Sequence, residues 1–273
     1  MATEHFNLGC RKDPKDLRDI PMGLVLPALP VPLSIDYTPK MSPVRNQGDE
    51  GTCVAFASVV GVKEYEDQKE YCKLIALSPR YVYSLCKKFD GYPDEEGTYP
   101  RIAMKMLLHY GVCPESFWPY RPFQNNNHKP GADQKAKIYR IKAYARLKNI
   151  AEMKRSLVVN GPFLAGVRVY ESWFTPRVTK TGLVPMPKKG EEIAGGHAIC
   201  VVGYDDRIKL FKFKNSWSRK WADQGFGYLP YSYMNKYCQD AWSATDLIQN
   251  PKKLVETRFA VLKRFLPKNT KVS

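Results

Sequence analysis

The stretch QGDEGTCVAF, Gln47 to Phe56, constrains the chain more than any other. A glycine-rich, acidic turn runs into an apolar segment, Val54 to Tyr65, with few helix breakers. The pattern predicts a helix from Thr52 to about Lys69, with Thr52 as its candidate cap. Cys53 then falls in the first helical turn, where unpaired N–H groups and aligned peptide dipoles favour negative charge and lower a thiol pKa. A cysteine taken alone is more often a small buried filler, so its partners decide the reading.

A nucleophilic thiol needs a base, a group to orient that base and donors for an oxyanion. Of the four histidines, His5 lies in an N-terminal arm, His109 on the last turn of a helix and His128 in a polar loop. His197 sits where the loop Glu191–Gly196 enters an apolar strand. The strand that follows ends at Asn215-Ser216-Trp217, which offers Asn215 to hold the imidazole tautomer and Trp217 to shield it. Gln47 offers its side-chain NH₂ to the oxyanion beside the Cys53 N–H. Gln47, Cys53, His197 and Asn215 thus fill every role of a thiol-dependent acyl-transfer site.

The motifs R-N-Q-G-x3-T-C-x-A-F (Arg45–Phe56), G-G-H-A-x4-G-Y (Gly195–Tyr204) and K-N-S-W-x3-W-x-D-x-G-F-G-Y-L-P (Lys214–Pro230), in this order, resemble the papain family of cysteine peptidases. Cys53 and His197 are 144 residues apart, inside the family range of roughly 130–150. Smaller echoes carry the likeness from about Leu33 to Met234.

The resemblance implies an α+β, two-lobed fold, with Cys53 on a central helix of a helical left lobe. His197 and Asn215 belong to a β-barrel-like right lobe across a substrate cleft. It implies peptide hydrolysis through a thiolate–imidazolium pair and an acyl-enzyme, with no metal and no organic cofactor. Gly97, Tyr99, Pro100, Gly166, Gly195, Gly196 and Ala198 match positions that line a substrate pocket.

The sequence departs from the pattern at named places. Glu50 stands where the family has the cysteine of a disulfide that commonly ties this loop, Val54 replaces an aromatic residue, and Ser218 and Ala222 replace glycines. Val54 and the missing glycines motivate a second reading, a catalytically silent papain-like binding or structural module; a third keeps the thiol chemistry and passes the acyl group to an amine, a thiol-dependent acyl transferase. The segment L-G-x3-D-x2-D-x-R-D (Leu8–Asp19) resembles a short N-terminal segment of one branch of the family, in place of a long propeptide. Residues 1–32 are expected to lie extended across the cleft as a regulatory arm. Residues 33–250 form the peptidase domain, with the left lobe over about 45–130 and the right over about 131–250. Residues 251–273 are expected to form a basic amphipathic helix.

Composition limits the alternatives. A chain of 273 residues, 44% hydrophobic, buries one large core or two modest ones. No apolar run approaches the roughly 18 residues of a membrane span, and the N-terminus lacks the pattern of a signal peptide, which favours a cytoplasmic or particle-associated setting. Seven scattered cysteines argue for mostly reduced thiols and against a zinc site, Cys86–Cys113 being the one pair worth checking for a bridge. A formal charge of +16 favours association with polyanions, alongside a peptide or protein substrate.

Overall fold

A computed structural model describes residues 7–25 and 30–245; the expected basic C-terminal helix and His5 lie outside the described residues. Seven strands form one antiparallel sheet: β1 (Ser34–Asp36), β2 (Ala143–Arg146), β3 (Phe163–Tyr170), β4 (Ile193–Asp205), β5 (Leu210–Lys214), β6 (Phe226–Pro230) and β7 (Cys238–Thr245). Their order is β2-β7-β3-β4-β5-β6, with β1 added to β4.

The alternation along β4 divides the molecule. Ala198, Cys200 and Val202 face a core built from the helices Cys53–Tyr71, Pro79–Phe89 and Pro100–His109. Ile199 and Val201 face a second core with Phe163, Trp173, Phe211, Phe213, Trp217 and Tyr233, which Tyr204 joins past the register shift between Val201 and Gly203. Successive side chains on a strand point to opposite faces, so one apolar strand serves two cores and fixes one lobe against the other. Ala132, Ala136 and Ile141 belong to the helical core, whereas Met22 and Ile35, early in the chain, belong to the sheet core.

The helices follow their local signals with instructive exceptions. Ser78 caps the Pro79–Phe89 helix by accepting from the Tyr81 N–H, with Pro79 at the first position. The helix Pro100–His109 stops before Gly111, which has φ 81°. Thr52, however, makes no side-chain cap; its hydroxyl is 2.8 Å from the Tyr120 hydroxyl instead. The helix it precedes is α over Cys53–Phe56, π over Ala57–Lys63 and α again over Glu64–Tyr71. Within the π segment, the Val60 carbonyl accepts from Ser42 Oγ (3.0 Å) and Lys214 Nζ (2.9 Å), so polar groups from outside the helix serve its widened turn. In the arm, the expected extended run is broken by one helical turn, Met22–Val25.

All seven cysteines are free thiols, Cys86 and Cys113 included. Ser218 and Ala222 both take left-handed φ, 67° and 50°, so the chain keeps the backbone that glycine would favour. Ser218 Oγ accepts from the Lys220 N–H, a local side-chain bond that supports this conformation, while the Ala222 methyl can make none. Ala222→Gly is therefore expected to stabilise the fold by about 1 kcal/mol, raising Tm by about 2–4 °C in a thermal melt.

Candidate active site

The Cys53 helix and β4 meet at the sulfur: the Ala198 N–H donates to Cys53 Sγ over 3.4 Å. One residue earlier on β4, His197 is fully buried, with Nε2 2.8 Å from Asn215 Oδ1. With that nitrogen donating to Asn215, Nδ1 is left as the basic atom, and it has no hydrogen-bond partner among the described residues. The Asn215 oxygen also accepts from the Ser216 N–H at 2.8 Å, which fixes the amide orientation. Trp217 stacks on the imidazole, ring centroids 4.4 Å apart at 27°.

Gln47 enters from the turn ahead of the helix. Its Oε1 accepts from Ser216 Oγ (2.6 Å), and its Nε2 donates to the Glu50 carbonyl (2.9 Å) and to the Asn7 carbonyl (3.0 Å). Gln47, Asn215 and His197 are thus joined through Ser216, and Cys53 meets β4 at Ala198, the residue after His197. Among the described residues the other histidines lie elsewhere: His128 pairs with Asp133, and His109 ends a helix.

The N-terminal arm lies in this site. The Cys10 N–H donates to the Gly196 carbonyl (3.0 Å), the Thr98 N–H to the Gly9 carbonyl (2.9 Å) and the Arg11 N–H to the Thr98 carbonyl (2.9 Å). A Cβ on Gly9 would stand 2.0 Å from the Gly51 carbonyl oxygen, and one on Gly196 would stand 2.1 Å from the Cys10 carbonyl oxygen. Backbone approaches this close tolerate no side chain. Of the expected pocket residues, Gly97 abuts Gly9, Gly195 abuts Leu8, and Gly166 abuts Cys10 Sγ and Pro100, while Ala198 holds the sulfur. Tyr99 stands beside Tyr92, at 6.3 Å between ring centroids.

Beyond Cys10 the arm is pinned by charge. Buried Asp13 accepts from the Arg101 N–H (3.1 Å) and Trp242 Nε1 (2.8 Å), and its own N–H donates to Asp240 Oδ2 (2.8 Å). Arg101 pairs with Asp16 (3.5 Å) and Asp19 (3.1 Å), and Arg146 pairs with Asp19 (3.1 Å) and Asp240 (2.6 Å).

Burial under the arm makes the site electrically quiet. Desolvation pushes the Cys53 thiol up to about 11, partly offset by N–H groups of Ala198 and Gly9. Desolvation also pushes His197 down to about 4 against its bond to Asn215. Burial thus favours the neutral form of each group, thiol and imidazole.

Sequence reasoning missed several supporting groups. Ser216 aims Gln47, Trp173 lies edge-on to both His197 (6.4 Å) and Trp217 (6.2 Å), and Lys214 ties the strand before Asn215 to the Cys53 helix. Lys214 and Ser216 flank Asn215 in a short motif, so adjacency was the available signal. Trp173, in the 3₁₀ turn Glu171–Phe174, had no local one.

The sequence model of the papain family cysteine proteases matches residues 31–245. The chain belongs to the papain family. This papain-family chain is 33% identical over 221 residues to an uncharacterized peptidase C1-like protein of Acanthamoeba polyphaga mimivirus, covering 75% of the chain and 71% of that protein. It is 30% identical over 204 residues to mouse cathepsin K, covering 73% of the chain but 60% of cathepsin K. Among solved structures, xylellain, a cysteine protease from Xylella fastidiosa, superposes with a TM-score of 0.76 at 30% identity, covering 88% of this chain and 96% of that one. Among the described residues no helix is long and apolar enough to cross a membrane.

Proposed function

We propose that this papain-family chain hydrolyses peptide bonds with Cys53 as nucleophile, and that the described structure is its arm-covered, resting form. The observation that carries the reading is the Asn7 carbonyl, a peptide C=O held 3.0 Å from Gln47 Nε2. A substrate carbonyl takes that place once the arm leaves.

With the arm gone, water and substrate restore the solvation that burial removed. The thiol proton passes to His197 Nδ1, Sγ bonds to the carbonyl carbon, and the developing oxyanion accepts from Gln47 Nε2 and the Cys53 N–H. His197 then protonates the leaving amine, and water attacks the acyl-enzyme with His197 as base. Asn215 keeps the imidazole in the tautomer this cycle needs.

Releasing the arm by deletion also removes Met22 from the sheet core, so a point change is cleaner. Gly9→Val clashes with the Gly51 carbonyl. It is expected to speed labelling of Cys53 by a thiol-reactive epoxide about tenfold or more, to a stoichiometry of one, and to raise turnover of a fluorogenic peptide library in parallel. Mass spectrometry of the labelled protein reads both site and stoichiometry. A folded Gly9→Val protein that neither labels nor turns over would show a silent module.

A further inference from the structure

We infer that the buried Glu50–Arg80 ion pair positions the oxyanion donor Gln47, doing by charge what a disulfide does for this loop elsewhere in the family. The inference rests on the catalytic reading above. Gln47 has two amide hydrogens. One is spent on the Glu50 carbonyl (2.9 Å), and the other then points to the oxyanion position, where the Asn7 carbonyl now sits (3.0 Å). The backbone of Glu50 therefore sets the plane of the catalytic amide.

That backbone lies in a turn bounded by Gly48 and Gly51, with all the cysteines reduced. The turn is held instead through the Glu50 carboxylate, which is buried. Its Oε1 accepts from Arg80 Nη1 (3.0 Å), and its Oε2 accepts from Arg80 Nη2 and the Phe123 N–H (2.9 Å), with the Tyr120 hydroxyl oxygen 3.3 Å away.

Arg80 is wholly buried near the start of the Pro79–Phe89 helix, and it donates further to the carbonyls of Arg121 (2.8 Å) and Gln124 (3.3 Å) and to Asn126 Oδ1 (3.1 Å). Tyr120, its ring centroid 5.0 Å from the guanidinium, grips the other end of the turn by donating to the Gln47 carbonyl (2.7 Å). Arginine suits this place because its planar fork spans both carboxylate oxygens while the same two Nη groups also reach the flanking loop. The network touches neither Cys53 Sγ nor His197, so Glu50 and Arg80 are positioning residues.

The test compares two reactions of Cys53 in the full chain carrying Gly9→Val. A peptide aldehyde adds reversibly: Sγ bonds to the carbonyl carbon, and the thiol proton ends on the oxygen, which occupies the oxyanion position. Iodoacetamide alkylates the same sulfur with loss of iodide and places no oxygen there. Arm opening gates both, so their ratio isolates the oxyanion position.

Glu50→Gln is expected to weaken aldehyde affinity about tenfold or more, with the alkylation rate within about twofold of the parent and the loss in turnover falling on kcat, not KM. Gln47→Ala should give the same pattern. Arg80→Lys, which keeps the charge but not the fork, should fall between parent and Glu50→Gln. If a single change prevents folding, Glu50→Leu with Arg80→Leu removes both buried charges and carries the same comparison. Unchanged aldehyde affinity in any folded variant overturns the inference, as does an equal fall in both reactions. A parent that reacts with neither reagent would instead sink the catalytic reading.

Discussion

Cys53→Ala is expected to abolish peptide hydrolysis, with a loss in kcat on the order of 10⁶-fold when measured on a fluorogenic peptide in the Gly9→Val background. His197→Ala should cost about as much, because without a proton acceptor the thiol stays protonated at neutral pH. The two losses should not add. Once either member is gone the other has no step to serve, so the double variant should match the singles within error. Asn215→Ala leaves sulfur and imidazole in place and removes only the 2.8 Å bond that fixes the ring, so a smaller loss, on the order of 10²-fold, is expected. A Cys53→Ala protein that retained turnover, or losses that summed across the double variant, would separate these residues from one catalytic unit.

The site was legible because each role demands a particular residue type in a particular local setting. A helix-start cysteine, a histidine entering an apolar strand and an asparagine before tryptophan are readable one segment at a time; β4 then carries His197 beside the Ala198 N–H that reaches Cys53 Sγ, and Asn215 bonds the imidazole. What stayed hidden depends on contacts between distant segments. Nothing near Glu50 announces Arg80, thirty residues on, as its partner. Thr52 had a better local claim as a helix cap than as a neighbour of Tyr120, and tertiary packing overrode it. The π segment likewise follows from Ser42 and Lys214 serving the Val60 carbonyl, which no periodicity encodes. Proline-rich sequence and the place of residues 1–32 ahead of the domain announced an arm across the cleft, but how closely its backbone approaches appears only at Gly9 and Gly196.

The arm should respond to pH through two groups that oppose each other. Burial, with Asp240 beside it, pushes Asp13 up to about 7 in the docked arm, whereas a free aspartate titrates near 3.9. Between about pH 4 and 7 docking therefore takes up a proton at Asp13. That contribution to docking is fully present below about pH 4, is lost as pH rises and is gone above about 7. Asp240, also raised by burial, acts in the same sense, while the Arg101 guanidinium holds both carboxyls down and Arg146 holds down Asp240. His197 acts in reverse. Docked, it titrates at about 4; released, it regains a value near 6.5 or above, so acid favours release. Over about pH 4–6.5 the two proton counts nearly cancel, and the native arm should be almost indifferent to pH there. The variants should expose the hidden slopes. With His197→Ala the arm should dock more tightly in acid, its opening constant falling by up to about tenfold per pH unit from about 7 towards 4. With Asp13→Asn the sign should invert, and acid should open the arm. Hydrogen exchange at the Cys10, Arg11 and Asp13 amides, each bonded to the body only when docked, reads the opening constant directly after correction for intrinsic exchange. Parallel profiles in the two variants would remove Asp13 from any part in holding the arm, since the difference between them is what its raised pKa requires.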